Sequence, residues 1–228
     1  NHRLEFIWTI IPVFVLAALI IYGLFTWSDI MYVDEDEDPL VIELYAYQFD
    51  WRARYAGKDN TLGKANVRLI EGINQLGVDT SDPNAQDDKV VNELHLPLGR
   101  KVLFKMRSQD VLHSAYMPHF RAQMNCVPGM ITQFAFTPSM TTDDMRLNDE
   151  VIEKVEYINQ IRTEKNIQLL AKGEEVLEMY EFDYLLLCNK ICGSNHFNMQ
   201  MKIIVDTEEK YNTWLAEQAT IAETIKNK

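Results

Sequence analysis

Cysteine is scarce in this chain: three residues in 228 cannot staple a domain, which excludes a disulfide framework. Basic residues are also few. Lys and Arg number 22 against 34 Asp and Glu, so the formal net charge is -12, a field that repels phosphate backbones, excludes nucleic acid and attracts basic partners. The sequence has neither an internal repeat nor a low-complexity tract. Core-forming residues are not lacking. Hydrophobic residues at 47% and charged residues at 25% are ordinary for a globular protein and exclude a disordered chain. The length allows one domain plus a membrane anchor, or two small domains.

The run Phe6 to Trp27 contains no charged side chain. About 22 helical residues at about 1.5 Å each cross a bilayer core. Trp8 near one end and Tyr22 with Trp27 near the other fit interfacial aromatic belts, and Pro12 sits near the start, where its missing N–H costs least. A secretory signal peptide is the competing reading, but the run is too long and no small-residue cleavage site follows. Residues 1–33 are therefore expected to anchor the chain in a bilayer. Arg3 precedes the span and Asp34-Glu35-Asp36-Glu37-Asp38 follows it, so the positive-inside rule puts the N-terminus in the cytoplasm or matrix and the remainder outside. Residue 1 is Asn rather than Met, so further chain upstream is expected.

Beyond the acidic linker, Leu40–Trp51 is rich in aromatic and β-branched residues and reads as a strand. Val91–Leu96, Lys101–Arg107, Ile131–Thr137, Met179–Leu187 and Met199–Val205 read likewise, with turns at Pro97-Leu98-Gly99 and Pro128-Gly129. Many short strands predict a mainly β fold, a β-sandwich spanning residues 34–205. Residues 55–90 form a loop excursion whose acids show no calcium-loop spacing. A helical insertion is expected within 142–178: Asn148 caps it, Val151, Val155, Ile158 and Ile161 line one stripe, and Gly173 ends it. That stripe either covers the sandwich or docks another subunit. Residues 206–228 read as one helix starting at Asp206, with Glu209 completing a capping box and Trp214 packing back.

The chemistry concentrates in Cys188-Asn189-Lys190-Ile191-Cys192-Gly193-Ser194-Asn195-His196-Phe197-Asn198-Met199, which sits between two strands. Thiolates, an imidazole and a thioether select copper or zinc over magnesium or calcium. A mononuclear blue-copper site needs one Cys, one Met and two His. The second cysteine asks for a second metal, and each metal then needs its own imidazole, which His113 supplies from Asp110-Val111-Leu112-His113-Ser114. A disulfide between Cys188 and Cys192 is the plain alternative. Cys126 has no such company and reads as a buried, inert thiol.

These paired motifs resemble those of subunit II of cytochrome c oxidase. The resemblance extends to Leu4–Pro12 in the anchor, to Gln48-Phe49-Asp50-Trp51 and to Val127-Pro128-Gly129. It implies a cupredoxin-like Greek-key sandwich behind the second transmembrane helix of a hairpin, multi-pass in the full-length chain, with the copper domain on the periplasmic side of a bacterial inner membrane. It implies a binuclear copper centre bridged by Cys188 and Cys192, with His113 and His196 on one copper each and Met199 and the Lys190 backbone carbonyl as weak axial ligands. It further implies that Phe49 and Trp51 mark where electrons enter and that Glu5 stands at the mouth of a proton path.

The chain departs from the family pattern in places. Lys190 replaces the usual Glu, and a donor-only ammonium cannot ligate the magnesium ion found at the border with subunit I. Phe49 replaces a Trp. The implied partners are subunit I with its haem and the other oxidase subunits, the lipid bilayer, and a c-type cytochrome, either diffusing or tethered within a supercomplex. The acidic segments Asp34–Asp38, Asp79–Asp88 and Asp143–Glu150 would steer a basic donor. A quinol oxidase subunit lacks the copper ligands, and a free-standing cupredoxin carrier has no use for Glu5.

Overall fold

The computed structural model describes residues 1–32 and 38–226. Helix α1 (His2–Met31) is 30 residues long, apolar, with a mean hydropathy of 2.5 in its most apolar window, and none of that window is buried by protein. Its length of about 45 Å exceeds a hydrocarbon core. Its last turn meets the folded domain, where the Gln133 side chain donates to the Met31 carbonyl at 3.3 Å.

Ten strands follow: β1 (Leu40–Tyr47), β2 (Asp50–Tyr55), β3 (Lys89–Val91), β4 (Leu94–Pro97), β5 (Val102–Ser108), β6 (His113–Met117), β7 (Ala122–Cys126), β8 (Thr132–Phe136), β9 (Tyr184–Cys188) and β10 (Gln200–Asp206). They form two five-stranded sheets, ordered β3-β2-β1-β5-β8 and β4-β10-β9-β6-β7. In β5 the alternation of the sequence is the alternation of burial: Val102, Phe104 and Met106 point inward and Leu103, Lys105 and Arg107 lie at the partly exposed face. Between the sheets, Trp51, Phe104, Met106, Met117 and Leu186 are fully buried. Burying each such side chain contributes about 1.5–3 kcal/mol. The fold is a cupredoxin-like sandwich, as expected.

Several elements differ from expectation, each for a physical reason. Leu40–Trp51 is not one strand, because a turn at Gln48-Phe49 splits it into the β1–β2 hairpin, whose register pairs Tyr47 with Asp50. Val91–Leu96 is divided between the two sheets, β3 joining one and β4 the other. Strands β6 and β7 escape the sequence pattern because His113-Ser114 and Gln123 make them polar. Helix α4 (Glu208–Glu217) starts from Thr207, whose hydroxyl accepts from the Lys210 amide, while Asp206 is held by His95 at 3.0 Å. Trp214 packs back by stacking on the His95 ring at 3.8 Å. A second helix, α5 (Ile221–Lys226), follows: Lys89 Nζ takes the Leu215 and Gln218 carbonyls at 2.6 and 2.7 Å, and Thr220 with Glu223 forms a fresh capping box.

The insertion contains α2 (Thr142–Arg146) and α3 (Asp149–Lys172), the latter capped by Asn148 and ended by Gly173 in the left-handed region. Of the expected stripe, Val151 is buried, Val155 and Ile158 are half-buried and Ile161 is exposed, so only the first turns cover the sandwich. Met179–Leu187 is strand only from Tyr184 onwards. Its upstream part is committed to α3. The Asn159 amide exchanges two hydrogen bonds with the Tyr180 backbone at 3.0 and 2.6 Å, and Asn166 does the same with Leu177 at 2.9 and 2.7 Å.

The excursion between β2 and β3 covers the outer face of its sheet, which is why β1 is buried on both sides. Leu76, Val78 and Ala85 pack on Tyr45 there. Charge is buried with them. Glu43 accepts from Arg54 Nε at 2.6 Å and from Arg107, and Arg54 Nη1 reaches the Gly63 carbonyl at 3.0 Å and Asp88 Oδ2 at 3.1 Å. Asp88 is fully buried, and its Oδ1 has no partner among the described residues. Burial pushes the Asp88 carboxyl up to about 6, against the pull of Arg54 and the Gly63 N–H. A raised carboxyl stabilises the fold below its ordinary value near 3.8, and that contribution is lost as pH rises through about 6. The variant Asp88→Asn, which mimics the protonated form, should therefore gain on the natural chain by about 2 kcal/mol between pH 4 and 7. Urea unfolding in detergent across that range is the check; parallel curves would contradict it.

Candidate metal centre

The β9–β10 pair delivers one ligand loop and β6 the other. Strand β9 ends on Cys188, whose amide donates to the Met199 carbonyl at 3.0 Å and so closes the loop at its base. The next amide, Asn189, donates to the Ser114 carbonyl at 3.0 Å and ties this loop to the start of β6, where His113 stands. A single helical turn over His196–Asn198 returns the chain towards β10.

The side chains named from the sequence converge. The Cys188 and Cys192 sulfurs lie 3.8 Å apart and are free thiols, well beyond a disulfide bond length of about 2.05 Å. Cys188 Sγ is 3.8 Å from His113 Nδ1 and 3.2 Å from the Lys190 carbonyl oxygen. Cys192 Sγ is 3.6 Å from His196 Nδ1 and 3.8 Å from Met199 Sδ. The donors thus surround the pair of sulfurs, His113 and the Lys190 carbonyl next to Cys188 and His196 and Met199 next to Cys192. The ligand atoms of His113, Cys188 and Cys192 fall within 4.8 Å of one another and are buried, so they can hold a metal ion. The donor set fits a soft, thiophilic ion such as copper.

The electrostatics separate the two thiols. Burial disfavours the Cys188 thiolate, but His113, the Ser114 and Lys190 backbones and His196 together outweigh it and hold the thiol down at about 6. Cys192 is pushed the other way, up to about 11, by burial and by the neighbouring Cys188. Cys126, fully buried, is raised to about 12 by burial and is the inert thiol expected.

Asp110 plays a part that the sequence reading did not assign. Its Oδ1 lies 2.8 Å from His113 Nε2, which leaves Nδ1 facing Cys188. Burial raises the Asp110 carboxyl, but His113 and the Gln48 and Val111 amides prevail and hold it below the usual range. The signal was its place three residues before His113. Trp51 is fully buried, its ring meeting His113 edge-on with centroids 6.3 Å apart. Phe49 is half-buried at the turn beside Gly193. Ile191 and Phe197, also missed, are 85% and 86% exposed on the ligand loop itself. Glu5 is not brought to the centre: it lies in the first turn of α1, 3.1 Å from His2 Nδ1. Among the acidic segments, Asp34–Glu37 lie outside the described residues. Asp79 and Asp82 turn back on their own loop, and Asp143 is paired with Lys210 at 3.0 Å.

The chain is a cupredoxin-like sandwich that carries a Cys2His2Met cluster, buried except for the half-buried His196, behind an apolar helix long enough to cross a membrane. A family model for the periplasmic domain of cytochrome c oxidase subunit II matches residues 40–145, which include His113 but not the cysteine loop. The alternative cytochrome c oxidase subunit 2 of Bradyrhizobium diazoefficiens is 35% identical over 208 residues, 90% of this chain and 60% of that protein. The cytochrome c oxidase subunit 2 of Alkalihalophilus pseudofirmus is 23% identical over 237 residues, 100% of this chain and 49% of that protein. The crystal structure of the periplasmic domain of subunit II from Bradyrhizobium japonicum aligns with a TM-score of 0.44 at 17% identity, over 78% of this chain and 91% of that one. The chain is similar to subunit II of cytochrome c oxidase in both comparisons of sequence. It spans about half to three-fifths of the length of these two relatives.

Metal-bound imidazoles depend on the group that receives their second N–H. Asp110→Ala should therefore weaken copper binding by about 10–100-fold. A competition titration against a chelator is the measurement, and an unchanged affinity would show that Asp110 does not orient His113.

Proposed function

We propose that this chain is the electron-accepting subunit of a membrane-bound cytochrome c oxidase, taking electrons one at a time from a c-type cytochrome and passing them to haem in subunit I. Oxygen reduction and proton pumping then belong to the assembled complex. The observation that carries the reading is the convergence of two imidazoles, a thioether and a backbone carbonyl on the Cys188–Cys192 sulfur pair. Two coppers bound there would supply a one-electron carrier whose unpaired electron is shared.

The chain's own residues do the rest. His113, Cys188, Cys192, His196, Met199 and the Lys190 backbone carbonyl would hold the coppers, which would supply one-electron transfer. The sandwich keeps Cys188, Cys192, Met199 and His113 buried, so the ligands reorganise little when charge changes. Phe49 and Trp51 offer an aromatic approach from the surface, the latter in edge contact with His113. The membrane helix sets the copper domain on the periplasmic side as part of a multi-pass protein, with Glu5 near the opposite surface at the start of a proton path. Lys190 leaves no carboxylate for magnesium at the border with subunit I.

The donor is a docked or tethered cytochrome, as within a supercomplex. Two acids of these segments are committed within the chain: Asp88 is buried, and Asp143 is paired with Lys210. A donor held in place does not depend on the chain's net charge of -12 to steer it, so turnover with the native donor should change little as salt rises, since screening acts on exposed charges beyond about 8 Å. A steep salt dependence with added cytochrome c as the sole donor would reverse this.

The centre itself is tested by metal analysis and electron paramagnetic resonance. Two coppers per chain and a seven-line hyperfine pattern are expected, and Cys192→Ser should abolish the shared signature. One copper with a four-line spectrum, or zinc alone, would overturn the binuclear reading.

A further inference from the structure

The turn between β1 and β2 is fastened to both arms of the ligand set. The Gln48 backbone N–H donates to Asp110 Oδ2 at 2.7 Å, and Asp110 Oδ1 lies 2.8 Å from His113 Nε2. The Gln48 side-chain Nε2 donates to the Cys192 carbonyl at 2.6 Å. These bonds reach 62 and 144 residues along the chain. One residue thereby touches the imidazole arm through Asp110 and the thiol arm directly.

The cysteine loop needs such a hold. Its ladder bonds fall at its base, from Cys188 to Met199 and from Asn189 to Ser114. Cys192 stands in the middle, beside the exposed Ile191. Gly193 shows how tightly the turn closes over it. Its φ is +144°, and a Cβ there would stand 2.8 Å from the Phe49 ring and 2.9 Å from Gln48 Nε2, closer than side chains tolerate.

We infer that Gln48 is a positioning residue for the metal centre: its amide fixes the Cys192 carbonyl, and so where the Cys192 sulfur lies between Cys188, His196 and Met199. The inference rests on reading those residues as copper ligands. Because the same turn carries Phe49, the surface a donor touches and the geometry of the ligands form one mechanical unit.

The test uses the full chain in detergent, loaded with copper. Gln48→Ala and Gln48→Glu both remove the donor but keep the backbone N–H to Asp110. Both should load copper to the natural stoichiometry, lose it to a chelator about 10–100-fold more readily, and shift the visible and near-infrared bands. A Gln48→Ala protein that matches the natural one in both readouts overturns the inference. An effect confined to Gln48→Glu also overturns it, since charge alone would then be the cause. The metal-free variants should melt with the natural protein, and a matching loss of their thermal stability would mean that Gln48 serves the fold and not the centre. A natural chain that binds no copper overturns the ligand reading as well, whereas a copper-loaded natural chain with an unaffected Gln48→Ala variant overturns only the brace.

Discussion

The hydrogen bond from the Cys188 amide to the Met199 carbonyl closes the loop on which the whole centre depends. It is the last rung of the β9–β10 ladder, which pairs Gln200 with Leu187 and runs back into the sandwich core. Because that ladder lies in the middle of its sheet, the residues that follow Cys188 leave from a fixed point and return to one. Four soft donors are thereby brought within a few ångströms without any of them sitting inside a strand interior. A site held this way is set before a metal arrives, and rigid elements hold ligand geometry better than free loops do.

The second sheet contributes a platform of a different kind. The β1–β2 hairpin ends in the Gln48-Phe49 turn, and its stiffness comes from the charges buried at its other end. Glu43 on β1 is bonded to Arg54 on β2 and to Arg107 on β5, and Arg54 continues to Asp88 and the Gly63 carbonyl. Buried ion pairs of this sort add little net stability, but breaking one costs about 3–5 kcal/mol, so they hold a register against its alternatives. The excursion over residues 56–88 makes the arrangement workable, since it removes the outer face of the sheet from water and supplies the carbonyls that the arginines require. A loop that reads as a surface detour therefore secures the hairpin that reaches the metal loop.

What was legible in the sequence follows the range of the interactions. The apolar run of α1, the alternation of β5 and the cap and stop of α3 are local, and each was readable from neighbouring residues. The cluster from Cys188 to Met199 was equally plain because its ligands crowd into one short loop. The turn at Gln48-Phe49 was not, since it interrupts a continuous aromatic run and is held by Asp110 and Cys192, far away in the chain. The segment before Tyr184 has strand-like composition, but Asn159 and Asn166 satisfy its backbone with side-chain amides, a pairing that periodicity does not reveal. Asp206 looked like a helix cap until His95, 111 residues earlier, was seen to hold it.

Strand β9 also separates two parts of the protein that the sequence places side by side. Its first residue, Tyr184, packs against Phe182 and Phe120 next to the insertion, whereas its last is Cys188. Five residues of strand span about 17 Å. Across that length the core of the sandwich lies between α3 and the ligands, and the insertion is held to the domain by Val151 with Met145 and Val155, by the Thr142 hydroxyl, which accepts from the Val205 amide, and by Arg146, which donates to the Phe182 carbonyl and pairs with Asp183. Tyr157, Ile167, Leu170 and Met179 remain exposed on it. Strain or movement in α3 has to pass through a close-packed core before it reaches a sulfur, and such cores are stiff. The chain can therefore vary its insertion while keeping the positions of His113, Cys188 and Cys192 unchanged.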